Sequence, residues 1–87
     1  MTTTKTYTDS EIEALWSQGN DAGRGYAVGS DSDSPWEAAE AEDMTDIRTF
    51  DTRTSLAYCV VAMDGDDLIA ICDCHGPWAV NISQEVE

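Results

Sequence analysis

The 87-residue chain is strongly acidic, because its 18 Asp and Glu residues stand against 4 Lys and Arg and give a formal net charge of −14. A chain of this length forms one small domain and has little room for a large catalytic cleft. Apolar residues make up 41% of it and include three Trp and three Tyr, which excludes a disordered acidic tail. We therefore expect a single compact acidic domain over residues 1–87.

Charge and hydropathy also limit the partners that the protein can have. A charge of −14 repels nucleic acid and anionic membranes, so we expect neither as a direct ligand, and a charged partner should be basic. The sequence has no run of about 18 apolar residues, and its first nine residues lack the apolar stretch of a signal peptide. Its three cysteines are an odd number, which is untypical of a secreted disulfide framework. These features predict a cytoplasmic protein.

The first predicted element is a helix that begins after Thr8. Residues 8–11 (TDSE) have the spacing of a capping box, and Tyr7 and Ile12 are placed to form a hydrophobic staple. Three glycines within residues 19–25 each lower helix propensity by roughly 0.8–1 kcal/mol. We predict a helix over residues 9–18, with residue 27 as its furthest possible end.

A second helix is predicted after a loop rich in Gly, Ser and Asp. Ser34 is a favourable N-cap, Pro35 suits the first helical position, and Glu37 stands at the third. This helix should run from Pro35 to about Asp46, with a thin apolar stripe and acidic residues around the rest.

The remainder of the chain is rich in β-branched and aromatic residues. Residues 54–63 and 67–74 flank Asp64-Gly65-Asp66, which is the pattern typical of a β-hairpin. Residues 78–82 follow Pro77 with the alternation of a third strand, and residues 47–52 are a candidate edge strand.

These elements predict an α+β fold. One or two N-terminal helices should pack on one face of a three- or four-stranded antiparallel β-meander. The helical part covers residues 8–46, the meander covers 47–83, and a short acidic tail covers 84–87.

Residues 31–46 carry the densest acidic cluster, and its helical spacing suggests a function. Residues three or four apart on a helix lie roughly 5–6 Å apart at Cβ, and each like-charge pair destabilises the helix by roughly 0.2–0.5 kcal/mol. Folding therefore gains nothing from these carboxylates, whereas a groove built for phosphates would accept such a row. The predicted partner-binding residues are Asp31, Asp33, Trp36, Glu37, Glu40, Glu42, Asp43 and Asp46.

Two simpler explanations of these residues remain open. The acids can form a solvated face, as in a salt-adapted protein, and a second group at Asp64, Asp66 and Asp67 shows that the charge is not confined to one segment. Trp36 can be an interface anchor or a core residue that joins the two helices.

The cysteines and the single histidine suggest further alternatives. If the hairpin turn is centred on Gly65 and Asp66, Cys59 lies opposite Cys72, and Cys74 lies on the same face. With His75 these thiols are candidate zinc ligands, although the Cys72-x-Cys74 spacing is tighter than usual. A Cys59–Cys72 disulfide and buried core thiols are the other interpretations, and we predict no bound metal.

No motif indicates catalysis. Cys74 and His75 are neighbours in an extended segment and cannot form a nucleophile–base dyad, and the sequence lacks a phosphate-binding glycine loop and a nucleophile elbow. We expect neither an enzyme nor a cofactor.

The sequence resembles two groups of known proteins. Residues 19–23 (GNDAG) through 34–36 (SPW) resemble the G-x-x-A-G … P-[aromatic] pattern of ribosome modulation factor and similar small bacterial and phage proteins. That family is basic and binds ribosomal RNA, whereas this stretch holds one Arg, so RNA binding does not carry over. In length, charge and lack of catalytic motifs the chain is similar to the small acidic phage proteins that act against host defence, including anti-CRISPR and anti-restriction DNA mimics.

The leading hypothesis is therefore an acidic interaction protein that inhibits a nucleic-acid-binding or host-defence protein by occupying its basic surface. If phage-encoded, it would act in the host cytoplasm. One alternative is a structural or accessory acidic domain, homo-oligomeric through an exposed strand edge, whose charge serves solubility. Another is a small zinc-stabilised module.

Overall fold

The computed structural model describes residues 7–29, 34–50, 59–73 and 76–85, in which the chain forms helices and an antiparallel sheet. The predicted α+β fold is confirmed. The helices are α1 (Asp9–Asp21), α2 (Pro35–Ala41) and α3 (Ile82–Glu85). The strands are β1 (Tyr26–Ala27), β2 (Thr45–Thr49), β3 (Cys59–Asp64), β4 (Asp67–Asp73) and β5 (Pro77–Asn81). None of the helices in the described residues is long and apolar enough to cross a membrane.

The strands form one sheet in the order β1-β5-β4-β3-β2. Strands β2 to β5 are a meander, and the β3–β4 hairpin has the predicted register, with Asp64 opposite Asp67 and Gly65 in the left-handed conformation that a two-residue turn requires. The sequence did not predict β1, because its two residues are extended only through their pairing with Ala79 and Trp78.

The helices cover both faces of the sheet, which corrects the prediction that they share one face. Val60 and Ala62 of β3 point to the side covered by α2, and Cys59 and Val61 point to the side covered by α1 and α3. We call the two clusters the α2-face core and the α1-face core. The α2-face core contains Val28, Ala38, Ala39, Met44, Val60, Ala62, Ile69, Ile71 and Ala79. The α1-face core contains Ile12, Phe50, Cys59, Val61, Ala70, Cys72, Val80 and Ile82.

The reason for this arrangement is visible in the central strands. β3 and β4 carry consecutive buried residues, whereas a sheet with one solvated face would alternate buried and exposed ones. Apolar runs of this kind require cover on both sides.

Helix α1 begins at the predicted capping box. The Thr8 hydroxyl accepts a hydrogen bond from the Glu11 N–H at 3.1 Å, and the Glu11 carboxylate accepts one from the Thr8 N–H at 2.9 Å. The helix ends at Asp21 because Gly23 takes a left-handed conformation and the Arg24 N–H donates back to the Gly19 carbonyl at 2.8 Å. It therefore runs three residues beyond the predicted end at residue 18.

Helix α2 begins at the predicted cap, where the Ser34 hydroxyl accepts from the Glu37 N–H at 3.3 Å, but it ends at Ala41 and not near Asp46. Asp43 has a φ of 60°, and the Met44 N–H donates to the Ala39 carbonyl at 3.0 Å. Such an ending usually uses Gly, and an Asp in its place gives no sequence signal. The chain then enters β2 at Thr45, two residues before the predicted edge strand.

Helix α3 includes the last two residues of the predicted meander and the first two of the predicted acidic tail, and it packs against α1 and β4. Glu85 turns inward, and its side chain is only 1% exposed. It accepts two hydrogen bonds from the Arg24 guanidinium, both at 2.6 Å, and one from the Gln18 amide at 3.1 Å. This contact joins the end of the fold to α1.

Candidate functional site

An acidic patch lies at the hairpin end of the sheet, where separate segments of the chain meet. Thr45, the first residue of β2, pairs with Met63 near the end of β3, so the segment that follows α2 lies beside the β3–β4 turn. We call this surface the hairpin-end patch. It consists of Glu42, Asp43, Asp46, Asp64, Asp66 and Asp67, all of them exposed.

Tyr26 lies at the border of the patch. It is the one exposed large apolar residue among those described, at 39%, and its strand neighbour Ala79 belongs to the α2-face core. Partial burial, followed by the negative charges of Asp64, Asp67 and Glu42, raises the pKa of the Tyr26 hydroxyl. An exposed ring next to carboxylates suits a Lys or Arg side chain, which can stack on the ring and pair with an acid.

The carboxylates of the patch have no basic partner within the described residues. Arg24 pairs with Glu85 and Arg48 pairs with Asp9 at 3.3 Å, so both described arginines act elsewhere. The patch is instead stabilised by neutral donors: the Asn81 amide donates to Asp67 at 3.1 Å, and the Gly29 N–H donates to Glu42 at 3.4 Å. Among the described residues, no basic side chain therefore compensates its negative charge.

The backbone of the patch is irregular at two positions. Asp43 and Asp46 have φ values of 60° and 52°, a left-handed conformation that residues other than Gly adopt rarely. Asp46 also lies within the register shift between Thr45 and Arg48, which is a β-bulge or similar irregularity of β2. Bulges redirect side chains at the edge of a sheet.

The structure divides the acidic row predicted for one helix. Glu37 and Glu40 remain on α2, three residues apart and exposed. Glu42, Asp43 and Asp46 lie beyond the end of the helix, so they do not continue the predicted helical row of Glu37 and Glu40. Asp31 and Asp33 lie outside the described residues.

Trp36 is half-buried and packs against the α2-face core. It does not join the two helices, because α1 lies on the opposite face of the sheet. The buried part of the Trp36 ring has a structural role in this core, while the role of its exposed part as an anchor for a partner stays a prediction.

The sequence shows the acids of the turn but not their proximity to residues 42–46, and it contains no signal for the exposure of Tyr26. The connection depends on the β2–β3 pairing, in which Thr45 lies opposite Met63. The sequence also has no local signal for the end of α2 at Ala41, and a helix that continued to Asp46 would carry these acids away from the turn.

The cysteines confirm the predicted register, because Cys59 lies directly opposite Cys72. Both are buried and are not joined by a disulfide. Cys74 and His75, the other two candidate zinc ligands, lie outside the described residues. Within the described ranges no group of three or more His, Cys, Asp or Glu residues is arranged to hold a metal ion.

Comparison with known proteins places the chain in no family. No protein-family model, curated protein sequence or solved structure matches it.

Proposed function

We propose that this protein binds the basic surface of a nucleic-acid-binding or host-defence protein and inhibits it by occupying that surface. The observation that supports this proposal is the hairpin-end patch, in which six exposed carboxylates from two distant segments meet without a basic partner in the described part of the chain. The binding is stoichiometric, and no catalytic step is involved.

Electrostatics favours this function over a role in folding. Carboxylates gathered at one end of a small domain repel one another, and a domain of this size has only a few kcal/mol to spare. A basic partner replaces that repulsion with attraction, and complementary charge also speeds association. A groove that binds phosphates recognises regularly placed negative charge, which a rigid array of carboxylates can supply.

Two aromatic residues add apolar area to this charged surface. Tyr26 is exposed at the border of the patch, and Trp36 is partly exposed on α2. Tyr and Trp are the residues that most often dominate binding energy when a polar rim surrounds them. We therefore assign Tyr26 to an apolar contact at the border of the patch, and Glu37 and Glu40 to the rim of the contact.

The first test compares two variants of equal charge. The patch variant carries Asp43→Asn, Asp46→Asn and Asp64→Asn, and Asn tolerates the left-handed conformation at the first two positions. The control variant carries Glu13→Gln, Asp21→Asn and Asp73→Asn, which lie outside the patch. Each variant removes three negative charges, so a difference between the two reports the position of the charge and not its total.

Tagged wild-type protein and both variants are used to capture partners from bacterial lysate, and each captured protein is then purified and bound to a fluorescent DNA duplex. We expect wild type and the control variant to retain the same basic protein and to displace the DNA from it, and the patch variant to lose both properties. Equal capture by all three proteins, or a captured protein whose DNA is not displaced, would contradict the proposal.

The strand edges give little support to the alternative of a homo-oligomer. β1 is only two residues long, and β2 is irregular and exposes Asp46 and Arg48. Short, irregular and charged edges are the features by which proteins avoid pairing between sheets.

A further inference from the structure

Antiparallel strands contain two types of directly opposite residue pair, and Cys59 and Cys72 form the type whose Cα atoms lie closer together. The two residues are directly opposite in the antiparallel β3–β4 ladder. The Cys59 carbonyl accepts a hydrogen bond from the Phe50 N–H at 3.2 Å, so its peptide groups point away from β4. Cys59 and Cys72 are therefore a non-hydrogen-bonded pair, for which the Cα atoms lie about 4.5 Å apart.

This spacing is compatible with a disulfide. The Cα atoms of bonded cysteines usually lie about 4.4–6.8 Å apart, so a pair of this type lies within the range that a disulfide spans. The thiols also interact in the reduced state, since a hydrogen bond from the Cys72 thiol lowers the pKa of the Cys59 thiol and burial opposes that shift. The geometry thus provides both an attacking and a resolving sulfur.

We propose that Cys59 and Cys72 form a reversible dithiol redox site that reacts with small disulfides of the glutathione type. The Cys59 thiolate attacks one sulfur of the donor, forms a mixed disulfide and releases one donor thiol. The Cys72 thiolate then attacks the Cys59 sulfur and releases the second donor thiol. The protein loses two electrons and two protons, and the donor gains them.

Access to the pair requires local opening, because Cys59 and Cys72 are only 2% and 5% exposed. Cys59 is the first residue of β3, and Cys72 is the last but one of β4, so the pair lies at the open end of the hairpin, away from the turn. Opening at the ends of strands costs less free energy than opening at their centres. Once formed, the bond closes a loop around the hairpin turn and stabilises the fold by restricting the unfolded chain.

The test uses a Cys74→Ser variant, which retains only the proposed pair, and glutathione disulfide as the oxidant. After incubation of the folded protein, we expect the intact mass to fall by two hydrogen atoms and the melting temperature to rise, and a reductant to reverse both changes. A protein that keeps both thiols, that stops at a glutathione adduct or that forms disulfide-linked dimers would overturn the proposal.

Wild-type protein provides a second, independent measurement because it has a third thiol that competes. Peptide mapping after oxidation of the folded protein should find the Cys59–Cys72 link, whereas oxidation in urea should also give links to Cys74. If the folded protein prefers a link to Cys74, the cross-strand pair is not the redox site. This inference does not depend on the proposed function.

Discussion

The carboxylate of Glu85 is the charged group that the described part of the fold buries most deeply. A buried charge is costly unless it is paired and hydrogen-bonded, and Glu85 meets this condition through Arg24 and Gln18. Arg24 itself remains half exposed. The contact thus fixes α3 against α1 through one residue whose charge depends on pH.

Replacing Glu85 should change the pH dependence of stability. Hydrogen bonds from Arg24, opposed by burial, lower the pKa of Glu85 in the folded state. A lowered pKa contributes stability that is present above the glutamate pKa of the unfolded chain and is lost as the pH falls through the folded value. Glu85→Gln should therefore melt below wild type at neutral pH, and the gap should narrow in acid. Thermal melts from pH 7 to pH 3 measure this gap, and a constant gap would show that the charge has no role.

Asp43 occupies a backbone conformation that favours Gly. Its φ is 60° at the end of α2, and the left-handed conformation costs an ordinary residue roughly 1–2 kcal/mol. Asp43→Gly should raise the free energy of unfolding by up to about 1 kcal/mol relative to Asp43→Asn in urea denaturation, because Gly adopts this conformation with less strain than Asn. Both variants remove the charge, so electrostatics does not contribute to the difference between them. Equal stability of the two would mean that the turn carries no strain.

At the scale of the helices, Gly19 determines how closely α1 approaches the sheet. It is buried in the last turn of the helix, and a Cβ at this position would overlap Val80 and lie 3.1 Å from the Glu85 carboxylate. Gly19 is therefore a point of close contact between α1 and β5, and the helix continues past it to Asp21.

In the variant Gly19→Ala, helix propensity and packing change the stability of the fold in opposite directions. Propensity alone predicts a gain of about 1 kcal/mol, whereas overpacking usually costs about 1–3 kcal/mol. We expect overpacking to dominate and the free energy of unfolding to fall by about 1 kcal/mol in urea denaturation. Ser17→Ala, on the exposed side of the same helix, serves as the control and should be neutral or slightly stabilising. Stabilisation by Gly19→Ala would show that α1 can move away from β5 at no cost.

The helix starts and the hairpin could be predicted from the sequence because their signals are local. The capping box at Thr8 and the turn at Gly65 lie within a few residues of the elements that they define. The end of α2 was not predictable, because an Asp takes the place of the usual Gly at residue 43. β1 was not predictable either, since its extended conformation depends on β5, about 50 residues later in the chain.

The sequence could predict which acidic residues are present, but not which of them form the candidate site. The sequence identified acids at residues 42–46 and at the hairpin turn, but joining the two groups requires the pairing of Thr45 with Met63. Tyr26 gave no signal, because an isolated aromatic residue is more often part of a core. Its exposure follows from its place on an edge strand at the border of the sheet.

For the whole molecule, the net charge of −14 and its uneven distribution have different consequences. Total charge governs solubility and long-range repulsion, whereas short distances between carboxylates govern how strongly salt stabilises the fold. The hairpin-end patch gathers six exposed carboxylates at one end of the sheet. The patch and control variants, which have the same total charge, separate the two effects.

Salt should stabilise the protein mainly through the patch. Raising the salt concentration from about 0.01 M to about 0.5 M shortens the screening length from roughly 30 Å to below 8 Å and weakens the repulsion between neighbouring carboxylates. The melting temperature of wild type should therefore rise with salt, and the rise should be smaller in the patch variant than in the control variant. Calorimetry of the three proteins across this range measures the difference. Equal salt dependence of the two variants would mean that the acidity acts as a uniform solvated face, and the case for a binding patch would then rest on partner capture alone.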